Sequence, residues 1–167
     1  PTIFIAGDAS DQAALLHEAA DQGRIAGDNA GRFPEITGGL RRSHLAVVFC
    51  DPQIAVVGES YAGLCARLGD DRFAIGEVDF SGQGRARTVL RNSGLLRVYA
   101  DRKSGRFLGA EMVAPDGEHL GHLLAWAHQQ ELTVGEILDL PFYHPVVEEG
   151  LRTALQQVAA ELAGKAG

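Results

Sequence analysis

Apolar and polar positions follow two rhythms along this chain, and the change falls near residue 44. The run "TIFIAGD" (Thr2–Asp8) is short, β-branched and apolar and ends in Gly-Asp, the pattern of a buried parallel strand. The Ala-rich stretch Gln12–Gly31 predicts a helix, closing near Gly27 to Gly31. "RFPEITGGLRRSH" (Arg32–His44) carries Pro, paired Gly and paired Arg and is the best candidate for a linker. Beyond it the period shortens to two. Leu45–Cys50 and Ile54–Gly58 flank the turn signal Asp51-Pro52 and predict an antiparallel pair. A short helix over Glu59–Gly69 follows, and then strands over Arg72–Phe80, Gly94–Asp101 and Arg106–Ala114, the last two joined by the hairpin-type loop "DRKSG".

Three helical patterns close the chain. Gly117–Leu132 places Leu120, Leu123, Leu124 and Ala127 on one face. Thr133 and Glu136 have the spacing of a capping box before a further short helix. The last helix is expected to start at Pro145, where a first-turn proline is favoured, with Val147, Leu151, Ala154, Leu155, Val158 and Leu162 in one stripe. That stripe, the Leu-rich helix before it and Trp126 supply the kind of apolar surface that obligate dimers bury. The order of elements predicts an α+β fold: one mainly antiparallel sheet with helices on one side.

Composition narrows the class. The chain has 167 residues, 46% of them hydrophobic, enough for a packed core. A net charge of −7 without basic clusters argues against nucleic acid as a partner. No apolar run reaches the roughly 20 residues that span a bilayer, so no membrane role is expected. Two cysteines, Cys50 and Cys65, are too few for a disulfide framework and read as buried thiols; a reduced, cytoplasmic setting is expected. The chain starts inside a strand pattern rather than at Met, as a C-terminal portion of a longer protein would.

Candidate chemistry gathers at "PFYHPVVEEGLRTAL" (Pro141–Leu155). Two helical residues five apart point about 140° away from each other. Pro145, however, pushes His144 out of the helical region, so its ring can fold back toward Glu149. A carboxylate on one ring nitrogen would fix the tautomer and leave the other nitrogen free to take a proton. The same residues also fit a plain helix start, with Glu148 and Glu149 against the positive end of its dipole. Asp8, at a strand end, could accept hydrogen bonds from a polyol, and the amides of Ala14, Leu15, Leu16 and His17 could face an electron-rich ring from a helix N-terminus. His119 and His122 are three apart, with His128 six further on, but no Cys or carboxylate cluster completes a metal site, so none is expected. "SGQGRART" (Ser81–Thr88) lacks the third glycine of a dinucleotide fingerprint and reads as a loop.

Taken in order, "IFIAGD", "LLHEAADQG", "VVFCDPQIAVVG", "GRAR", "FLGAEMV" and "HPVVEEGLRTAL" resemble the C-terminal third of the pyridine nucleotide–disulfide oxidoreductases, most closely the dihydrolipoamide dehydrogenase branch. The resemblance implies that residues 1–38 end an FAD-binding domain and that residues 39–167 form the interface, or dimerisation, domain. It implies that Asp8 holds the ribityl chain of FAD and that the amides of Ala14, Leu15, Leu16 and His17 face the flavin's pyrimidine edge. It implies that His144, oriented by Glu149 and followed by a cis peptide bond, is the acid–base serving the partner subunit of a homodimer. The full-length protein would then use FAD and NAD with a lipoyl-bearing protein or small disulfide as substrate. This chain alone is expected to bind no cofactor and to be inactive, since neither Cys50 nor Cys65 stands where the redox pair belongs. A mercuric or glutathione-type reductase, or a stand-alone dimerisation or binding module without redox activity, is the alternative.

Overall fold

The computed structural model describes residues 3–164, which divide into two compact units at Arg42/Ser43. The first unit holds one helix, α1 (Leu16–Arg32), preceded by a single 3-10 turn over Gly7–Ser10. Thr2 lies outside the described residues, and Ile3–Ala6 form no strand. A strand requires a ladder partner, and the described residues of this unit supply none. The helix also begins later than Gln12: Leu15 is still extended and its amide donates to the Ala13 carbonyl (3.0 Å). It runs past Gly27 and Gly31 to Arg32.

The second unit is built on a five-stranded antiparallel sheet, β1 (Leu45–Val48), β2 (Gln53–Gly58), β3 (Phe73–Asp79), β4 (Leu95–Asp101) and β5 (Phe107–Ala114), in the order β1-β2-β5-β4-β3. Successive residues of a strand face opposite sides, and the register makes the consequence plain. Val57, Ala110, Val98 and Gly76 lie in one row across four strands, and Ala55, Met112, Leu96 and Val78 in the next on the same face. Apart from Gly76 and the partly buried Val78, these are buried side chains of the core. The intervening row, Val56, Glu111, Arg97 and Glu77, faces the other side. Hydrophobic alternation thus sets both register and buried face.

Helices α4 (Gly117–Gln129), α5 (Val134–Leu138) and α6 (Glu149–Gly164) belong to the core on the first face, α4 over β1, β2 and β5 and α6 over β3 and β4. Gly76 allows the close approach of α6, because a Cβ there would stand 1.9 Å from the Ala154 carbonyl oxygen. α5 starts with the full capping box: Thr133 Oγ1 accepts from the Glu136 amide and the Glu136 carboxylate accepts from the Thr133 amide. On the opposite face α2 (Tyr61–Leu68) covers a smaller cluster of Leu64, Phe73 and Tyr99.

Several expectations are corrected. Val147, Leu151, Ala154, Leu155 and Val158 of the expected stripe are buried within the chain, so it is core rather than dimer surface. Leu123 does not join the buried face of α4; Gly121 and Ala125 take that place, and Leu123 and Trp126 are exposed. Cys50 is exposed in the turn after β1 because the strand ends at Val48, and Cys65 is half-buried in α2. "SGQGRART" is no loop: Phe80–Gly82 form a 3-10 turn and Gly84–Thr88 a short helix, α3, whose first turn is closed by Gln83 Oε1 accepting from the Ala86 amide (2.6 Å). No described helix is long and apolar enough to cross a membrane.

Candidate functional site

α6 begins at Glu149, four residues later than the proline signal predicts. The reason lies in the Glu149 carboxylate. Oε2 accepts from the Val146 amide (3.1 Å), the backward half of a capping box, so the residues before the helix fold under its first turn. Oε1 lies 2.8 Å from His144 Nδ1. His144 is outside the helix, and the five-residue spacing imposes no helical angle on the contact. The His144–Pro145 peptide is cis.

The hydrogen bond from His144, followed by that from the Val146 amide, holds the Glu149 carboxyl below its usual range. With Glu149 ionised, the contact requires the proton of a neutral imidazole on Nδ1. Nε2 is then left with a lone pair on a side chain that is 81% exposed. The arrangement suits a base that receives a proton from a partner outside this chain. Arg152, in the first turn of α6, stacks over the Phe142 ring at 5.9 Å and adds a weaker favourable charge to Glu149. On the other side, Gln83 Nε2 donates to the Val146 carbonyl (2.8 Å). Sequence reading missed this residue: it lies 63 positions away, and Gln is not a favoured helix cap.

Beside this loop runs an apolar groove of about 440 Å³ lined by Leu123, Trp126, Leu140, Phe142, Tyr143 and Leu151 among others. Trp126 is 65% and Tyr143 80% exposed, unusual for such large rings.

The remaining candidates lie in the first unit. Asp8 is exposed in the 3-10 turn, whose preceding corner is fixed by Gln22 Oε1 accepting from the Gly7 amide (2.9 Å) and the Ser10 hydroxyl (2.8 Å). Ala14 and Leu15 precede α1, and the Leu15 amide is engaged by Ala13. Leu16 and His17 occupy the first turn, which no side chain caps, so their amides lack intrahelical acceptors. An uncapped, exposed helix start can donate to an electron-rich group, and an exposed carboxylate can accept from hydroxyls. His119 and His122 are exposed, His122 Nδ1 pairing with the Glu118 carbonyl (2.7 Å). Among the described residues no group of three or more His, Cys, Asp and Glu is placed to hold a metal ion.

Known proteins share this chain's sequence pattern and fold. Residues 45–155 match the dimerisation domain of the pyridine nucleotide-disulphide oxidoreductases. A dihydrolipoyl dehydrogenase of Rhizobium etli is 28% identical over 153 residues, covering 92% of this chain and 31% of that protein. A mercuric reductase of Acidithiobacillus ferrooxidans is 32% identical over 160 residues, covering 93% of this chain and 28% of that protein. The chain therefore spans about a third of the length of the curated relatives it matches. Its fold is shared with the HOCl-induced flavoprotein disulfide reductase RclA of Escherichia coli, with a TM-score of 0.76 at 22% identity over 92% of this chain and 34% of that one. The match over about two thirds of its length shows that the chain belongs to the pyridine nucleotide-disulphide oxidoreductase family, through its dimerisation domain.

Proposed function

We propose that this chain is the C-terminal part of an FAD- and NAD-linked dithiol–disulfide oxidoreductase of the dihydrolipoamide dehydrogenase type. In this reading residues 1–38 close an FAD-binding domain, and residues 39–167 form the interface of a homodimer. The observation that carries it is the contact of His144 Nδ1 with the ionised Glu149 (2.8 Å) on a ring otherwise turned to solvent. The base has its orienting partner within the chain and its reacting partner outside it.

His144 Nε2 takes the proton of an attacking substrate thiol and returns it to the leaving thiolate. Glu149 keeps the ring in the tautomer that makes Nε2 the acceptor and stabilises the imidazolium while it lasts. Asp8 and the first-turn amides of Leu16 and His17 would contribute to holding FAD. The chemistry supplied by bound FAD is acceptance of an electron pair and its relay to NAD. The exposed Trp126, Leu123 and Tyr143 are the apolar surface that a second copy covers. A lipoyl-bearing protein supplies the dithiol, in a reducing, cytoplasmic setting.

In the enzyme that carries this segment, His144→Ala should lower dithiol-linked NAD reduction by about 10²- to 10⁴-fold with flavin content unchanged. Undiminished turnover would remove His144 from the mechanism. A second reading, a mercuric-type reductase, is favoured by the 32% identity to a protein of that name. Turnover of mercuric ion in preference to dihydrolipoamide by the same enzyme would select it.

A further inference from the structure

The 3-10 turn and α3, between Phe80 and Thr88, meet the His144–Glu149 loop at two points. Phe80, fully buried, lies under the first turn of α6: a Cβ at Gly150 would stand 2.8 Å from its ring, so glycine is needed there for the helix to sit this close. Gln83 makes the other contact. Its Oε1 accepts from the Ala86 amide (2.6 Å) and its Nε2 donates to the Val146 carbonyl (2.8 Å). Both halves of the side-chain amide are assigned, and only this orientation satisfies both partners. Ser, Asp or Asn would cap α3 more conventionally. Ser and Asp lack a separate donor for Val146, and Asn, which has one, is a methylene too short to reach it as well.

Val146 is thereby held on both sides. Its amide donates to Glu149 Oε2 and its carbonyl accepts from Gln83, so the peptide planes before and after its Cα are both anchored. The same Glu149 carboxylate that takes the Val146 amide also holds His144 Nδ1. Release of the carbonyl lets the following peptide rotate toward water. The Val146–Glu149 bond then loosens, and the carboxylate loses the anchor that aims its other oxygen at the imidazole. We propose that Gln83 is a positioning residue for His144, acting through Val146 and Glu149 to hold the imidazole in the tautomer whose Nε2 accepts a proton. The proposal rests on the reading of His144–Glu149 as the acid–base pair.

The test uses this chain, labelled with nitrogen-15, and reads the His144 ring nitrogens at a pH well above the histidine range. In the wild type the Nδ1–H tautomer should dominate. Gln83→Glu keeps the acceptor for Ala86 and removes the donor to Val146, and it should lower the ratio of Nδ1–H to Nε2–H about three- to tenfold, the worth of one hydrogen bond, with the Ala86 amide signal in place. Gln83→Met, neutral and of similar length, should lower it likewise and serves if the added charge disturbs folding. A wild-type ratio in either folded variant overturns the role of Gln83. Glu149→Gln separates the two readings. A shifted ratio there with none in the Gln83 variants sinks the positioning role alone, whereas no shift there removes the acid–base pair and the proposal with it.

Discussion

Among the described residues up to Arg42, the buried side chains are Glu18, Gln22 and Asn29, while Ile3, Ile5, Leu16, Phe33 and Leu40 are exposed. Beyond Ser43 the proportions invert: Phe73, Phe80, Leu96, Tyr99, Phe107, Leu124 and Leu155 are closed off from solvent. The first unit is tied by polar contacts. Gln22 holds the Gly7 corner, Asn29 pairs with the Thr37 amide (2.8 Å) and carbonyl (3.0 Å), and Glu18 pairs with Arg41 (2.9 Å). Each such contact is worth about 0.5–1.5 kcal/mol net, against about 1.5–3 kcal/mol for each large apolar side chain buried. The second unit therefore has a cooperative core of its own, and the first opens locally at much lower cost.

The sharpest way to break this contrast is to remove a core ring. Phe80→Ala should destabilise the second unit by about 3–5 kcal/mol, read from the urea midpoint, and it also removes the floor under Gly150. Asn29→Ala loses both Thr37 contacts and should cost the first unit about 1–3 kcal/mol, seen as faster amide exchange confined to residues before Ser43. If exchange rose equally in β4 and β5, the units would not be independent. Truncation to a chain starting at Ser43 should leave the Phe80→Ala penalty unchanged to within about 0.5 kcal/mol.

The smallest effect is a dependence on pH in the second unit. Burial, followed by the charge of Arg106, lowers the proton affinity of His128, whose Nδ1 lies 2.7 Å from Ser43 Oγ. The unfolded chain binds that proton first, so stability is full above about 6.5 and declines as pH falls from there toward the lower folded value. His128→Gln should flatten this limb of the urea midpoint against pH. A second decline comes lower, below the ordinary carboxylate range. There Asp79, Asp101, Glu136 and Glu149, all depressed by hydrogen bonds, take up protons, and their stabilisation is lost as pH falls through the folded values.

What sequence reading reached follows the same division. The strands of the second unit were legible because alternation is enforced by a buried face, and the Thr133–Glu136 box because it is local. The contact of His144 with Glu149 was also local, since the following proline takes His144 off the helix. The strand before Asp8 was misread because an apolar run shows the preference for a ladder but not the presence of its partner strand. The α6 stripe was assigned to the wrong surface because periodicity reports that a face is buried, not against what. The Gln83 contact could not be found at all: its acceptor is a carbonyl 63 residues away.

The loop around His144 is also uneven in how much change it tolerates. Glu149 divides its two oxygens between an imidazole and a backbone amide, and an aspartate, one methylene shorter, cannot reach both from the same Cα. Gly150 is closed to any side chain by Phe80, and Val147 and Leu151 are set in the core. Tyr143, next to the histidine, carries none of these duties and stands in solvent. Exchange at position 143 costs the fold little, while Val147, Glu149, Gly150 and Leu151 admit almost none. Within the chain, position 143 can change while the imidazole keeps its contact with Glu149.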